Sequence, residues 1–431
     1  MTRSPNFFDT EPWVGGVIGL GYVGIPLLVE LNKSGLEVVG YDLSRDRIEI
    51  LNSGSSPVED VTDDQIKDML ESGAIFTQRT EDLKNVDVIF ICVPSPLSRD
   101  HEPDLSYIRD AVDTVIEVIR PGMAISLEST SYPGTTEEIV LPALESLGLV
   151  LDSDVWVAFS PERVSPGGSL SMSRIPKIVG GVSAESTEVV TAIYRRFIEE
   201  VHPVSSSSVA EMAKLLENTY RSINIGLMNE MAQVAHELDI DIWEVIDAAA
   251  TKPFGFEVFY PGPGVGGHCI PLDPQFLAWS ARKADCSARF IDLADQINAE
   301  MPVYVADRVI EALDCNGGSL AGTKILGVGI AYKPNISDCR ESASVAVLEE
   351  LERRGAEVFV LDPVVGRASI ERIGFKSVQL DDDFSSYSIA VVLTDHDVFD
   401  LEQIAAIAPV VFDTRGAYRR SGLTCNNVVT L

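Results

Sequence analysis

Cys269 stands in the segment Pro261-Gly-Pro-Gly-Val-Gly-Gly-His-Cys-Ile-Pro-Leu-Asp-Pro274. Gly262, Gly264, Gly266 and Gly267 leave the backbone almost bare just before a thiol. Bare backbone permits positive φ and lets a ligand approach closely. A thiol in that setting can attack a carbonyl held against the loop. Asp273 follows four residues later, flanked by Pro271 and Pro274, which stiffen the exit. A buried, inert cysteine beside a turn would carry the same letters, so a nucleophile needs an activating partner. Lys214 and Asn218 offer one. Their i, i+4 spacing puts both on one helix face, where they reach a common point. A solvated helix face is the plainer reading of such a pair, but Ala213, Leu215 and Leu216 surround Lys214 with apolar residues. An unperturbed thiol is only about 3% thiolate at pH 7. A nearby ammonium would raise that fraction and would also suit a developing oxyanion.

The second constellation opens the chain. Val14–Ile18 is apolar, Gly19-Leu-Gly21-Tyr22-Val23-Gly24 follows, and Ile25–Leu31 has helical periodicity. Glu37-Val-Val-Gly-Tyr41 then reads as a strand ending at Asp42. This is strand, glycine-rich turn, helix, strand and acid, the fingerprint of dinucleotide binding. The first glycine makes the turn, the second admits a pyrophosphate, and the third lets the helix pack on the strand. The helix N-terminus favours the phosphate charge. Asp42 can accept from both ribose hydroxyls and disfavours a 2′-phosphate, which selects NAD over NADP. Arg47 weakens that selection slightly.

These residues need a scaffold, and the 431-residue chain is long enough for about three domains at roughly 150 residues each. Up to about residue 200, strand-like runs (Val86–Val93, Met123–Leu127, Val155–Phe159) alternate with helical stretches (Leu105–Ile119, Glu137–Leu147). Such alternation predicts a doubly wound parallel sheet, whose strand C-termini form a ligand crevice. Glu128-Ser-Thr130 and Ser160-Pro-Glu162-Arg163 both follow strands, although turn and N-cap chemistry also uses these residues. Val209–Leu238 reads as one long packed helix, with Gly226 marking a close contact. Near Gly322 a second Rossmann-like unit begins: Thr323–Gly329 repeats the strand-and-glycine opening, and Glu357–Leu361 with Asp362 repeats the later strand. Tyr332 stands where a third glycine would complete the fingerprint, so its ligand can be a different nucleotide. The expected fold is α/β: two Rossmann-like doubly wound domains (1–205 and 304–431) joined by a helical middle domain (206–303).

Composition excludes several classes. A net charge of −33 argues against nucleic-acid and anionic-membrane binding. The six cysteines are scattered, without a CxxC pair, which suits a reducing compartment. No run approaches 18 apolar residues, and Met1–Trp13 has no signal-peptide stretch, so a cytoplasmic protein without membrane partners is expected. The five histidines lack ligand spacing, so no metal is expected.

Taken together, Gly19-Leu-Gly-Tyr-Val-Gly24, Val93-Pro-Ser-Pro96, Pro103-Asp-Leu105, Glu128-Ser-Thr130, Pro133-Gly-Thr-Thr-Glu137, Ser160-Pro-Glu162, Glu211–Asn218, Gly266-Gly-His-Cys269 and Lys333–Ser342 resemble the UDP-glucose/GDP-mannose dehydrogenase family over nearly the full chain. The resemblance implies a cytoplasmic homodimer in polysaccharide biosynthesis that oxidises C6 of a UDP-sugar to a carboxylate with two NAD⁺. On it, Cys269 would form a thiohemiacetal and then a thioester, Lys214 and Asn218 would stabilise the oxyanion, and Asp273 would assist proton transfer. Thr130 and Glu162 would hold water near C6. Gly19, Gly21, Tyr22, Val23, Gly24, Asp42, Arg47, Ser95, Thr130 and Arg340 would contact NAD. Glu162, Arg163, Lys214, Asn218, Gly266 and Lys333 would contact the UDP-sugar. Family members acting on UDP-glucose usually carry a second Glu shortly after the Glu162 position, where this chain has Ser165-Pro166-Gly167. That departure favours UDP-N-acetylglucosamine, with UDP-N-acetylmannosamine and UDP-glucose as alternatives. A non-catalytic NAD-binding scaffold would not need Cys269, Lys214 and Asp273. A β-hydroxyacid dehydrogenase would lack both the thiol and the last hundred residues.

Overall fold

The computed structural model describes residues 7–98, 102–164, 168, 170–267, 269–380, 382, 384 and 386–431. The chain forms two compact units, Met1–Glu217 with Gln275–Ser287 and Asn218–Pro274 with Ala288–Leu431.

The first unit is built on eight strands: β1 (Val14–Ile18), β2 (Glu37–Tyr41), β3 (Ile75–Thr77), β4 (Val88–Ile91), β5 (Met123–Leu127), β6 (Val155–Phe159), β7 (Lys177–Gly181) and β8 (Val201–Val204). Their order is β3-β2-β1-β4-β5-β6-β7-β8, and every pairing is parallel except β6 with β7. β4, β5 and β6 are buried at every position. A parallel strand covered on both faces is a continuous apolar run, which is why these three are legible in the sequence. The chain winds one way from β1 to β2 and the other way to β4. That reversal opens a crevice outside the C-termini of β1 and β4, where ligands of such sheets bind. The helix Gly24–Lys33 follows β1 and buries most of its residues against the sheet.

The second unit repeats the plan with β9 (Lys324–Val328), β10 (Glu357–Leu361), β11 (Lys376–Ser377), β12 (Ile389–Val392), β13 (Val410–Asp413) and β14 (Val428–Thr430). The order is β11-β10-β9-β12-β13-β14, all parallel. Its helices include Ile242–Ala250, Arg289–Cys315 and the later turns of Ser207–Glu237. Gly226 does mark a close helix contact: a Cβ there would lie 3.4 Å from Ala294. Two Rossmann-like sheets, the first parallel but for β6 with β7 and the second all parallel, with helices between them in chain order, are the architecture that the alternating pattern implied. Among the described residues, no helix is long and apolar enough to cross a membrane, and no cluster of His, Cys, Asp and Glu could hold a metal ion.

Candidate active site

The three fingerprint glycines have separable reasons. Gly19 leaves β1 with φ +95°, and a Cβ on it would lie 2.7 Å from the Cys92 carbonyl oxygen at the end of β4. A Cβ on Gly24 would sit 1.9 Å from the Gly19 oxygen, so only glycine lets the helix start there. A Cβ on Gly21 would meet nothing within 4 Å; the space beside it is open. Val23, at the helix N-cap, offers no side-chain cap; Ile25 N donates to the Gly21 carbonyl at 3.2 Å, and Pro26 has no N–H. Tyr22 is exposed.

Asp42 ends β2 and is buried. Its Oδ2 accepts from Leu20 N at 2.8 Å and pairs with Arg47 Nη1 at 2.9 Å, while Oδ1 accepts from Ser44 N at 2.8 Å. The acid thus ties the glycine turn to the end of β2 and holds Arg47 beside it. Ser95 and Thr130 follow β4 and β5 and are half-buried at the same sheet edge. These features fit NAD, which accepts hydride when bound.

A second group in this unit surrounds Lys214. Its Nζ donates to the Glu162 backbone carbonyl at 2.7 Å. The Glu162 Oε1 accepts from Arg163 N (2.7 Å) and Val164 N (2.5 Å), and Oε2 pairs with Lys177 Nζ at 3.2 Å. Lys177 also donates to Glu128 Oε2 at 2.6 Å, and the other Glu128 oxygen accepts from Tyr194 Oη at 2.6 Å. Burial pushes the Glu128 carboxyl up despite its cationic neighbour, and it pushes up the Cys92 thiol and the Tyr194 phenol as well. For Lys177, burial opposes the charge, but Glu128 and Glu162 outweigh it and raise the ammonium's pKa. Arg163 donates to Pro176 O at 2.7 Å and forms an ion pair with Glu217 at 2.7 Å. One turn before Lys214, the buried Glu211 accepts from Gly134 N, Thr136 N and Thr136 Oγ1, docking the long helix on the turn after β5. Burial raises the Glu211 carboxyl.

The second unit carries the thiol. Cys269 is exposed, and none of the six cysteines forms a disulfide. Asp273, buried at the start of the helix Asp273–Lys283, donates its N–H to the Cys269 carbonyl at 2.8 Å. Its Oδ2 accepts from Asn218 Nδ2 at 2.5 Å. The structure therefore links Cys269, Asp273 and Asn218 through the Cys269 backbone carbonyl and the Asp273 carboxylate. His268 lies outside the described residues, as do Ser165, Pro166 and Gly167. A Cβ on Gly266 would lie 2.7 Å from the Glu341 oxygen, and one on Gly267 would lie 2.8 Å from the Tyr332 ring. The glycines before Cys269 thus let that loop lie flat against the start of the second Rossmann-like sheet. Lys333 is half-buried nearby in sequence, and Arg340 is exposed and doubly bonded to Asp338 (2.9 and 2.6 Å).

That sheet echoes the first in detail. Gly329 has φ +76°, and the next amide, Ile330 N, donates to Asp362 Oδ2 at 2.7 Å, as Leu20 N does to Asp42. His396 Nε2 is 3.2 Å from the same oxygen, and its Nδ1 accepts from Asn335 N at 2.9 Å. Since Nδ1 is an acceptor, the proton sits on Nε2 and is donated to Asp362. Lys177, Tyr194 and His396 escaped the sequence reading, and Glu211 and Glu128 received no role in it. A lone Lys opening an apolar strand was the one available cue. Arg415 is another: its Nη1 would lie 2.9 Å from a Cβ on Gly262, and burial lowers its pKa.

A doubly wound sheet with this glycine turn, followed by a thiol loop beside a second such sheet, defines an NAD-dependent dehydrogenase. The NAD-binding domain of the UDP-glucose/GDP-mannose dehydrogenase family matches residues 15–198, its central domain 208–300 and its UDP-binding domain 326–420. The chain belongs to this family and is an oxidoreductase. A UDP-N-acetyl-D-mannosamine dehydrogenase of Pyrococcus horikoshii is 38% identical over 81% of this chain and 83% of its own. A UDP-N-acetyl-D-glucosamine 6-dehydrogenase of Pseudomonas aeruginosa is 36% identical over 81% of this chain and 82% of its own. The solved structure of the UDP-D-ManNAc dehydrogenase from Pyrococcus horikoshii superposes with a TM-score of 0.86 at 33% identity, covering 97% of this chain and 98% of that one.

Proposed function

We propose that the protein oxidises C6 of a UDP-N-acetylhexosamine to a carboxylate in two hydride transfers, through a covalent intermediate on Cys269. The observation that carries this reading is the exposed Cys269, set on bare backbone, with the Asp273 N–H bonded to its carbonyl and the Asp273 carboxylate bonded in turn to Asn218. In the first half, the C6 alcohol loses a hydride and a proton and becomes an aldehyde. The Cys269 sulfur then adds to that carbonyl, and the proton it releases returns to the new hydroxyl as a thiohemiacetal. Loss of a second hydride and a proton leaves a thioester. Water cleaves it to the carboxylate and restores the thiol. Lys214 and Asn218, one turn apart on one helix, stabilise the charge that develops on the C6 oxygen. Asp273 takes part in the proton transfers near the thiol, and Thr130 and Glu162 belong to the water-holding side. Gly266, Lys333 and Arg163 are proposed substrate contacts, and Ser95, Arg47 and Arg340 are proposed NAD contacts. Three of the five Arg163 donors are already engaged by Glu217 and Pro176, which leaves two for a sugar.

The functional division remains the one read from the sequence: 1–205 for NAD, 206–303 for the catalytic Lys and Cys and for dimerisation, and 304–431 for the UDP-sugar. The product, a UDP-linked uronate, suits polysaccharide assembly in the cytoplasm. Between the two acetamido sugars, the Ser165–Gly167 departure favours UDP-N-acetylglucosamine, while relatives named for UDP-N-acetylmannosamine make that epimer the rival. NADH formed per sugar, measured with UDP-N-acetylglucosamine, UDP-N-acetylmannosamine and UDP-glucose, tests the reading. Two NADH per acetamido sugar, with kcat/KM at least about tenfold above UDP-glucose, is expected from one buried polar contact. Equal or better efficiency with UDP-glucose, or one NADH per sugar, would overturn it.

A further inference from the structure

We propose that Lys177 is a positioning residue for Lys214, acting from a buried seat through the Glu162 turn. The inference rests on the function assigned above, because it takes Lys214 as a reacting group. Lys177 opens β7, a strand antiparallel to β6, and its side chain is 4% exposed. The turn that leaves β6 is stapled to the start of β7 at three consecutive residues. Ser160 Oγ donates to Ile178 O at 2.8 Å, Arg163 Nη1 donates to Pro176 O at 2.7 Å, and Lys177 Nζ reaches Glu162 Oε2 at 3.2 Å. The other Glu162 oxygen is held by two backbone N–H groups of the same turn. With both carboxylate oxygens committed, the orientation of the Glu162 peptide is set. Its carbonyl then faces Lys214 Nζ at 2.7 Å.

The partners of Lys177 show why it is charged and why it stays. A buried ammonium is costly unless paired and fully hydrogen-bonded. Here Glu128, itself fully buried, takes one bond, and the ring of Tyr194 lies 5.4 Å from the nitrogen. Tyr194 Oη closes the network by bonding Glu128 at 2.6 Å and Ser126 Oγ at 2.8 Å. Glu128 alone would neutralise the charge but would take only one of the three ammonium donors. The second arm, to Glu162, is the one that leads toward Lys214. A displacement of about 1 Å at a reacting group can cost on the order of a hundredfold in rate.

The test is steady-state kinetics on the full-length enzyme, following NADH with the UDP-sugar that turns over. Because Lys177→Met alone leaves Glu128 buried and unpaired, it is made together with Glu128→Gln. The double variant is expected to lower kcat about a hundredfold, with KM for NAD⁺ and for the sugar within threefold of wild type. Lys177→Arg, which keeps the cation, is expected to recover at least a tenth of wild-type kcat. On a Glu162→Ala background, the double variant should cost less than a further twofold, because its path to Lys214 is already cut. A kcat within threefold of wild type, an equal loss on the Glu162→Ala background, or failure of both Lys177 variants to fold would assign Lys177 to stability alone. Two NADH per sugar from wild type is the control: if that is missing, the assigned function fails rather than the role of Lys177.

Discussion

Substituting the second and third fingerprint glycines separately distinguishes a glycine demanded by the ligand from one demanded by the fold. At Gly21 a methyl group meets no protein atom within 4 Å. Gly21→Ala should therefore leave the melting temperature unchanged or slightly raised, since alanine loses less chain entropy, an effect of about 0.4–1 kcal/mol. The same methyl enters the space through which a pyrophosphate must approach the backbone. Losing one charge-assisted hydrogen bond there costs about 1.5–3 kcal/mol, or roughly ten- to 150-fold in Kd for NAD⁺. At Gly24 the methyl carbon would stand 1.9 Å from the Gly19 carbonyl oxygen, where such contacts normally lie at about 3.3–3.6 Å. The helix must retreat by more than 1 Å or the turn must distort, an overpacking cost of about 1–3 kcal/mol or more. For a unit of this size that amounts to a loss of several degrees, at about 2–4 °C per kcal/mol. The assays are NAD⁺ titration by calorimetry and thermal unfolding followed by circular dichroism. Wild-type NAD⁺ affinity in Gly21→Ala, or equal melting losses in the two variants, would refute the reasoning.

Two further outcomes follow from other parts of the molecule. Burial alone would raise the Asp362 carboxyl, but the His396 bond and the Val365 and Ile330 N–H groups outweigh it and hold it below the usual range. A depressed carboxylate stabilises the fold above its unfolded value near pH 4, and that contribution is lost as pH falls through the folded value. Asp362→Asn should therefore flatten the acid limb of a melting-temperature profile below about pH 4; an unchanged limb would count against it. The helix Ser207–Glu237 leaves Val209, Met212, Leu216, Tyr220, Leu227 and Val234 exposed at three-, four- and seven-residue spacing, a stripe that fits a two-fold homodimer. Light scattering at micromolar protein should give a dimer for wild type and a monomer for Leu227→Glu/Val234→Glu; a monomeric wild type would remove the proposal.

What the sequence disclosed follows from where the information lies. The glycine turn was legible because two of its glycines answer to a backbone constraint that no other residue meets, positive φ at Gly19 and near-contact at Gly24, while the space beside Gly21 is open. The buried parallel strands were legible because burial on both faces removes every polar letter; Met123–Leu127 and Val155–Phe159 fall where the apolar runs lie. The stretch expected to be helical over Glu137–Leu147 is helical over 136–145, but it opens as a π-helix, Thr136–Val140, before the short α-helix Leu141–Glu145, with Pro142 near the start of the latter. Proline removes an N–H, so the regular ladder cannot run through it. Lys177 was hidden because pairing of a buried charge is decided by residues about 15 and 49 positions away. The Glu162–Lys214 contact was hidden for a deeper reason: the acceptor is a backbone carbonyl, and every residue has one.

The most direct test of the account is what Cys269→Ser and Cys269→Ala do to the product. Both retain the glycine loop, and NAD⁺ binding should stay close to wild type. With UDP-N-acetylglucosamine or UDP-N-acetylmannosamine and excess NAD⁺, wild type should yield the uronate and two NADH per sugar. Cys269→Ala should yield no uronate, and Cys269→Ser at most a trace of aldehyde or a slowly hydrolysed oxyester. Uronate formation by Cys269→Ala at a rate near that of wild type would show that no thioester lies on the path, and the covalent mechanism would be wrong.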